Sequence, residues 1–519
     1  MWTTEDHTVA AGHSVTPAGW QARLDELLGR VAGRFGRVEP RRHARALVLG
    51  LLADLPRKNC WTIAEHAGQT SPDGLQHLLA GAVWDHDKVC DDVRDWLLEY
   101  LADPAAVLVV DETGDLKKGT HTVGVQRQYT GTAGKVDNAQ VAVYLAYAVD
   151  AGHGVIDREL YLPQGWIDDP ARLKAAGVPD QVGFATKPEL ARRMLEHALD
   201  AGVPAGWVTA DEVYGNSPTL RGWLEVRQLP YVLAVKATES LPSPRGPSTS
   251  AARLAAQVPP ECWLRISAGQ GAKGRRWYGW SRLPLGTAGA PPGWQRWLLV
   301  RRSLRTGELA FYLCAGPAGL PLVALVRVAG CRWRVEEAFQ AGKELCGLDQ
   351  HQVRRWRSWY RWVTLAMLAY AFLVVAAVTE HARHPPPLGL IPLTCNELQH
   401  LFATLVAAPV ADTGHRLRWS WWRRRQQARA RACHYRQQAA QQPCGDRGGT
   451  QAQQEHHARR AWRPRPRARL SEGFALRTQA PAGTNPVDGD QCDANRDHGN
   501  PQGRGANACD QHDGSDEHQ

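Results

Sequence analysis

Three charged residues near position 336 have a spacing that could serve phosphate chemistry. Arg332, Glu336 and Lys343 are separated by four and seven residues, so on a helix at 100° per residue their side chains fall within about 40° of one another. A carboxylate between a guanidinium and an ammonium could hold a metal ion beside a phosphate group. The same spacing also describes a solvated helix face of opposite charges. Features elsewhere in the chain have to separate these two interpretations.

Two aspartates each follow an apolar run directly. Asp111 comes after residues 107–110, and Asp211 comes after residues 207–210. Such runs are typical of buried strands, and open α/β sheets build their sites at the carboxyl ends of strands. A single aspartate after a strand is more often a turn or cap residue. Two of them upstream of Glu336 favour a shared site of three carboxylates.

Asp111, Asp211 and Glu336 would offer only oxygen ligands to a metal. Such a set suits hard cations such as Mg²⁺ or Mn²⁺. Two of these ions about 3.5 to 4 Å apart can activate a water or a 3′-hydroxyl and stabilise the leaving oxygen of a phosphodiester. Glu112 and Asp115 lie close to Asp111, and Glu212 follows Asp211, so one of these neighbours could be the ligand instead. Adjacent strand residues point to opposite faces, so strand register favours the first residue of each pair, Asp111 and Asp211.

The elements that would position these carboxylates follow from the hydrophobic pattern. Five segments with apolar residues at three- and four-residue spacing predict a small helical domain. They are residues 20–33, 41–55, 60–67, 73–80 and 87–101. Short apolar runs then predict five strands with two helices among them, and a turn at residues 150–154 predicts that the second and third strands form a hairpin. The strands are residues 105–110, 141–149, 155–162, 206–210 and 231–235, and the helices are residues 188–201 and 218–225.

This order of elements is that of an RNase H-like α/β domain, with residues 112–139 as a polar loop after the first strand. Four further strands interrupt the domain and predict a β-rich insertion before helices resume near residue 326. These strands are residues 262–267, 275–281, 297–302 and 309–314. A polar composition with few apolar residues predicts a disordered tail. The predicted domains are a helical DNA-binding domain (1–104), the first part of the core (105–238), the insertion (239–325), the second part of the core with a basic helical region (326–436) and the tail (437–519).

The motifs together resemble a known family, the DDE transposases of bacterial insertion sequences that carry the Tyr-x2-Arg-x3-Glu-x6-Lys element. The resemblance covers roughly residues 45–436 and rests on four segments. They are Val109-Val110-Asp111-Glu112-Thr113-Gly114, the loop Lys117-Lys118-Gly119 with Gly124-Val125-Gln126-Arg127-Gln128-Tyr129, Thr209-Ala210-Asp211-Glu212-Val213-Tyr214-Gly215, and residues 332–343.

The resemblance implies a role for each matched residue. Asp111, Asp211 and Glu336 would be the metal-binding triad that holds two Mg²⁺ or Mn²⁺ ions. Arg332 and Lys343 would hold DNA phosphate. Ala329 occupies the tyrosine position of the element, so no tyrosine hydroxyl is available there. The β-rich insertion implies a cut-and-paste route, in which hairpin ends are possible and a tryptophan often stacks on a flipped base. No one of the 21 tryptophans can be chosen for that role.

Basic residues next to the triad are candidates for DNA contact. Arg354, Arg355 and Arg357 alternate with aromatic rings within residues 354–362; arginine can contact phosphate, and rings can stack on unpaired bases. Lys117 and Lys118 follow Asp111 closely, and a surface role for these lysines is an equal alternative. Residues 416–436 hold eight arginines and no acidic residue, and such a segment can bind polyanions without specificity.

Bulk composition agrees with a cytosolic protein that meets a polyanion. The 519 residues carry a net charge of +10, which favours a nucleic-acid partner. The 11 cysteines are odd in number and form no Cys-x-x-Cys pair, so we expect reduced thiols. Residues 1–11 have no apolar run, so we expect no signal peptide. Residues 363–378 are too few for a membrane span and predict a buried helix.

The sequence as a whole predicts a cytoplasmic DNA transposase, associated with the nucleoid when bound to DNA. Its partners would be double-stranded DNA, both the inverted-repeat ends of the transposon and the target, and bringing two ends together implies a dimer or a higher oligomer. Two alternatives stay open. One is a transposase-derived protein that binds DNA without cutting it, as a repressor or architectural factor. The other is an RNase H-like nuclease that cuts DNA but does not join strands.

Overall fold

The computed structural model describes residues 15–243, 247–271, 274–386, 391–407 and 412–441, with side chains described as far as residue 438. The α-helices of this part of the chain are α1 (Pro17–Val31), α2 (Val38–Leu52), α3 (Cys60–His66), α4 (Asp73–Ala80), α5 (His86–Leu101), α6 (Gln164–Ile167), α7 (Pro170–Ala176), α8 (Lys187–Asp200), α9 (Glu212–Gly215), α10 (Pro218–Val226), α11 (Ala251–Ala255), α12 (Leu322–Cys331), α13 (Trp333–Cys346), α14 (Trp356–Arg383), α15 (Cys395–Leu405) and α16 (Thr413–Gln441). The strands are β1 (Val107–Leu116), β2 (Gln126–Thr130), β3 (Lys135–Val149), β4 (Gly152–Leu160), β5 (Trp207–Ala210), β6 (Tyr231–Val235), β7 (Ser240–Leu241), β8 (Thr249–Ser250), β9 (Leu264–Gly271), β10 (Gly274–Pro284), β11 (Trp294–Ser303) and β12 (Leu309–Pro317).

Helices α1 to α5 form where apolar residues recur on one helix face. The buried side of α1 carries Trp20, Leu24 and Leu27, at the spacing of an amphipathic helix. Local capping fixes where two of the other helices begin. The Asn59 side chain accepts hydrogen bonds from the backbone at the start of α3, and Asp85 does the same for α5. These caps satisfy backbone N–H groups that have no partner inside the helix.

The central sheet is mixed, as predicted for an RNase H-like core. Its strand order is β2-β3-β1-β5-β6-β12-β11-β10-β9, and β4 pairs with β3 beside this path. Strand β1 is antiparallel to β3 and parallel to β5. Parallel strands need a long crossover between them, and the segment from β3 to β5 supplies it with β4 and α8. The predicted fold class is confirmed.

The polar stretch predicted to be a loop, residues 112–139, is a loop only at residues 117–125 and 131–134. Strand β1 continues through Asp111 to Leu116, where it pairs with Ala139 of β3, and residues 126–130 form β2. Asp111 therefore lies inside a strand instead of directly after one. Polar residues fit this part of the sheet because it is only partly buried, so a strand there lacks the apolar run of a core strand.

The four predicted strands of the insertion are present as β9 to β12, and they extend the core sheet. Strand β12 pairs antiparallel with β6, with Phe311 opposite Val235. The result is one continuous ten-stranded sheet in place of a five-stranded sheet with a separate β unit. The described residues up to Gln437 belong to one compact unit, and the domain boundaries inside it stay a prediction.

Helix α14 forms the apolar centre of the fold. It has 28 residues and is long and apolar enough to cross a membrane, but 89% of its most apolar window is buried inside the protein. The expectation that this segment is too short for a span was therefore wrong, whereas its interpretation as a buried helix agrees with the packing. Its buried Glu380 accepts a hydrogen bond from the indole of Trp20 at 2.9 Å. Of the predicted tail, residues 437–441 end α16, and the remainder lies outside the described residues.

Candidate active site

Neighbouring strands bring Asp111 and Asp211 to adjacent positions. Val110 of β1 pairs in parallel with Ala210 of β5, so the residue that follows each of them lies at the same level of the sheet. The Asp211 side chain also accepts a hydrogen bond from the backbone of Val213 at 2.9 Å and begins α9. It is thus a cap residue and a candidate ligand at once.

The two aspartates are electrostatically frustrated. Burial raises the pKa of Asp111 well above its ordinary value, and the charge of Asp211 raises it further. Burial and the charge of Glu112 raise the pKa of Asp211 to about 6. Arg332 opposes these shifts in both cases. Ionising both carboxylates costs little free energy only when a cation balances their charge.

Arg332 lies between the carboxylates of Asp111 and Glu336. Its Nη1 atom is 3.8 Å from Oδ2 of Asp111 and 3.5 Å from Oε1 of Glu336. Arg332 directly precedes α13, and Glu336 lies in the first turn of that helix. The helical spacing seen in the sequence therefore does bring Arg332 and Glu336 together, and β1 completes the contact with Asp111.

The donor set fits a divalent cation in part. Asp111 and Asp211 offer hard oxygen ligands and mutual repulsion that a cation would relieve. Glu336 faces them across the Arg332 guanidinium. Among the described residues, no three His, Cys, Asp or Glu side chains are grouped closely enough to hold a metal ion. Ligation by Glu336 would thus need Arg332 to turn aside.

The neighbouring glutamates have other partners. Glu112 contacts Lys187 at 2.5 Å and accepts a hydrogen bond from the Tyr214 hydroxyl at 2.6 Å. Glu337 lies 4.0 Å from His153. These contacts favour Asp111 and Glu336 over their immediate neighbours, in agreement with strand alternation and helix geometry. Lys187 and Tyr214 were not identified from the sequence, because nothing in their spacing relates them to Glu112.

A second polar cluster, which we call the Asp115 cluster, surrounds the far end of β1. It consists of Asp115, Lys117, Lys343 and His351 with the hydroxyl of Thr113. Lys343 donates to Thr113 Oγ1 at 2.7 Å and lies 3.7 Å from Asp115. Lys117 is also 3.7 Å from Asp115, and His351 is 3.1 Å from it. Burial would raise the pKa of Asp115, but the hydrogen bond with His351 and the two lysine charges lower it to about 2.

The predicted DNA contacts thus fall into two groups. The ammonium groups of Lys343 and Lys117 are directed at Asp115, with side chains only 16% and 13% exposed. Lys118 is exposed. The exposed group also includes Arg354, Arg355 and Arg357, whose guanidinium groups make no ion pair with any described residue. Trp356, Trp359 and Trp362 of the same run are buried, so the interpretation of these rings as stacking partners for bases is wrong in this conformation.

Sequence comparisons agree with this geometry. The family described as DDE superfamily endonuclease matches residues 30–283, a range that includes Asp111 and Asp211 and ends before Glu336. Over this range, which is just under half of its 519 residues, the chain is similar to this superfamily. It is similar to the probable transposase for insertion sequence element IS701 from Microchaete diplosiphon, with 34% identity over 192 residues. The match covers 37% of this chain and 47% of that protein, so the chain spans about half the length of its relative.

Two further comparisons with the motif follow from the structure. Ala329, at the motif's tyrosine position, is buried in α12. An aromatic residue close enough to act on the charge of Arg332 is Tyr312 of β12, 20 residues earlier in the sequence (332 − 312). The described cysteines are free thiols. DDE superfamily nucleases generally use divalent metal ions.

Proposed function

We propose that this protein is a DNA transposase that cuts phosphodiester bonds at the ends of an insertion sequence and joins them to target DNA by a cut-and-paste route. The observation that carries the proposal is that Asp111 and Asp211 lie at the same level of adjacent parallel strands and that the pKa values of both are raised. Glu336 lies on the other side of Arg332, which contacts both Asp111 and Glu336. The match of residues 30–283 to the family described as DDE superfamily endonuclease supports it.

Asp111, Asp211 and Glu336 would hold Mg²⁺ or Mn²⁺, and two such ions would supply activation of a water or a 3′-hydroxyl and charge stabilisation at the phosphate. The ion pair between Arg332 and Asp111 is long, at 3.8 Å, so the guanidinium of Arg332 can turn toward a DNA phosphate. The planar guanidinium can donate two parallel hydrogen bonds to the phosphate oxygens. The exposed group of Lys118, Arg354, Arg355 and Arg357 would contact the DNA backbone. Joining two ends to one target requires at least two copies of the chain.

The decisive experiment is cleavage of duplex DNA that carries the element's ends, with Mg²⁺ and the full chain. Asp111→Asn and Glu336→Gln should each reduce the rate by at least about 1000-fold, because a metal ligand supplies several kcal/mol of transition-state stabilisation. Binding of the same DNA should persist. The matched control is Glu337→Gln, which removes the same charge one residue along the helix and should cleave at a rate close to that of the wild type.

Each alternative function has its own outcome in this assay. Full cleavage by Asp111→Asn would remove the triad from the proposal. Specific binding by a wild-type chain that does not cut would support the DNA-binding factor. Cleavage without strand transfer to a target plasmid would support the nuclease.

The metal is tested separately through stability. At a Mg²⁺ concentration of 100 Kd, binding to the folded state adds about 2.7 kcal/mol, so the thermal midpoint of the wild type should rise when Mg²⁺ is added at neutral pH. Asp211→Asn should lose most of this increase, and Glu337→Gln should keep it. An equal increase in Asp211→Asn would place the bound Mg²⁺ away from this aspartate.

A further inference from the structure

The first turns of helix α16 are anchored on the N-terminal helices. The indole of Trp419 is buried and donates to the carbonyl of Gln69 at 2.8 Å. His415 contacts the carbonyl of Glu65 at 2.9 Å. Trp422 packs edge to face on Trp61, with ring centroids 4.7 Å apart. The start of α16 is therefore held in a defined position beside α3.

The rest of α16 has no packing partner among the described residues. Every described side chain from Gln427 to Gln438 is exposed. Residues 413–441 contain no aspartate or glutamate, so the helix has no internal ion pairs to stabilise it. A helix that is polar on all sides is not held by the apolar packing that stabilises most protein helices. This arrangement favours a partner of opposite charge.

Four arginines of α16 form a straight row, which we call the arginine stripe. Arg418, Arg425, Arg429 and Arg436 follow one another at spacings of seven, four and seven residues, so they fall within about 40° of one another on the helix. The row is about 27 Å long at 1.5 Å per residue. None of the four makes an ion pair with a described residue, and Arg425 and Arg429 repel each other as like charges four residues apart.

We propose that the arginine stripe lies on duplex DNA. A DNA strand presents a phosphate about every 3.4 Å, and the major groove is about 12 Å wide and admits an α-helix. Arginine matches phosphate oxygens through two parallel N–H groups. The anchor on α3 places the stripe beside the helical domain that the sequence predicts to bind the transposon ends. This inference rests on the proposed function for the identity of the partner.

The chain offers a matched pair of double variants. Arg425→Gln with Arg429→Gln removes two charges from the stripe. Arg424→Gln with Arg431→Gln removes two charges from exposed positions of the same helix that lie about 120° to 140° away from the stripe. Glutamine has nearly the helix propensity of arginine, so far-ultraviolet circular dichroism should be unchanged in both.

The measurement is the Kd of the full chain for end-containing duplex DNA at several salt concentrations, without Mg²⁺. Loss of two phosphate contacts should reduce the salt slope by about 1.8, which corresponds to about 30-fold weaker binding at 0.15 M salt. The control pair should change the Kd by less than about 3-fold and keep the wild-type slope, because charges off the stripe make no phosphate contact.

Three results would overturn the inference. Equal weakening by both pairs would mean that the helix adds only unspecific charge. Wild-type binding by the stripe pair would mean that DNA does not touch this face. Equal competition by duplex RNA of the same length would remove DNA as the specific partner. Stripe-dependent binding by a chain that never cleaves would instead contradict the proposed function and leave the stripe in place.

Discussion

Strand β1 carries two aspartates four residues apart on one face of the sheet, and their surroundings are opposite. Asp111 lies 3.8 Å from Arg332, and Asp115 lies 3.7 Å from Lys343. Both basic residues come from the segment that contains α13. Yet the pKa of Asp111 is raised well above its ordinary value, whereas the pKa of Asp115 is lowered to about 2.

The difference lies in what else each carboxylate meets. Asp111 faces a second buried acid, Asp211, while Asp115 is surrounded by two lysines and a histidine. The Asp115 cluster is satisfied and fixes the end of α13 to β1. The start of α13 faces carboxylates whose charge is not balanced. The contacts of Asp115 hold β1 and α13 together at one end, and this allows the other end to keep carboxylates whose negative charge is not balanced and which could bind a cation.

The largest stability effect that tests this comparison is expected at Asp115. Asp115→Asn should lower the free energy of unfolding by about 3 kcal/mol, because it leaves Lys117 and Lys343 half-buried without their counter-ion. Chemical denaturation at pH 7 measures it. The control is Asp180→Asn, the same substitution at an exposed aspartate, which should change stability by less than about 0.5 kcal/mol. A loss as small as that of the control would show that the Asp115 cluster does not hold β1 and α13 together.

The sequence predicted the Asp111 end of the contact between β1 and α13 better than the Asp115 end. Asp111 and Asp211 could be predicted to meet, since each directly follows an apolar run and these runs form neighbouring parallel strands in register. The four-residue spacing likewise predicted the proximity of Arg332 and Glu336. The same reasoning placed Lys343 beside phosphate, but helical spacing defines only a side of a helix and not what covers it. The partner, Asp115, became available because β1 runs further than its apolar residues indicate.

Sheet continuity was also beyond the sequence pattern. The strands of the insertion could be predicted one by one, but their pairing depends on a contact between residues about 75 positions apart, such as Val235 with Phe311. Strand patterns indicate which face is buried and not which edge pairs. The length of helix α14 was underestimated for a similar reason. The apolar run at residues 363–378 predicts only the middle of the helix, which begins at Trp356 among tryptophans and arginines that do not raise the hydropathy.

A smaller effect is expected in acid. The folded-state pKa of Asp115 is about 2, below the ordinary value of 3.8, so this carboxylate contributes stability that is present above pH 4 and is lost as the pH falls toward 2. The loss amounts to about 2 kcal/mol by linkage. The measurement is the free energy of unfolding of wild type and of Asp115→Asn as a function of pH. The difference between the two curves isolates Asp115, because the contributions of the other acidic residues are the same in both proteins. Parallel curves between pH 4 and pH 2 would contradict the cluster's electrostatics.

The smallest effect should have the opposite sign, at Asp111. Asp111→Asn removes a buried charge that Asp211 repels, and Arg332 keeps Glu336 as a partner at 3.5 Å. Without divalent cations we therefore expect the free energy of unfolding to rise by about 1 kcal/mol at neutral pH. Because burial and the charge of Asp211 raise the folded-state pKa of Asp111 above its ordinary value of 3.8, the gain should shrink as the pH falls toward 4. A destabilisation like that of Asp115→Asn would mean that Asp111 is mainly the structural partner of Arg332, and the contrast between the two ends of β1 would disappear.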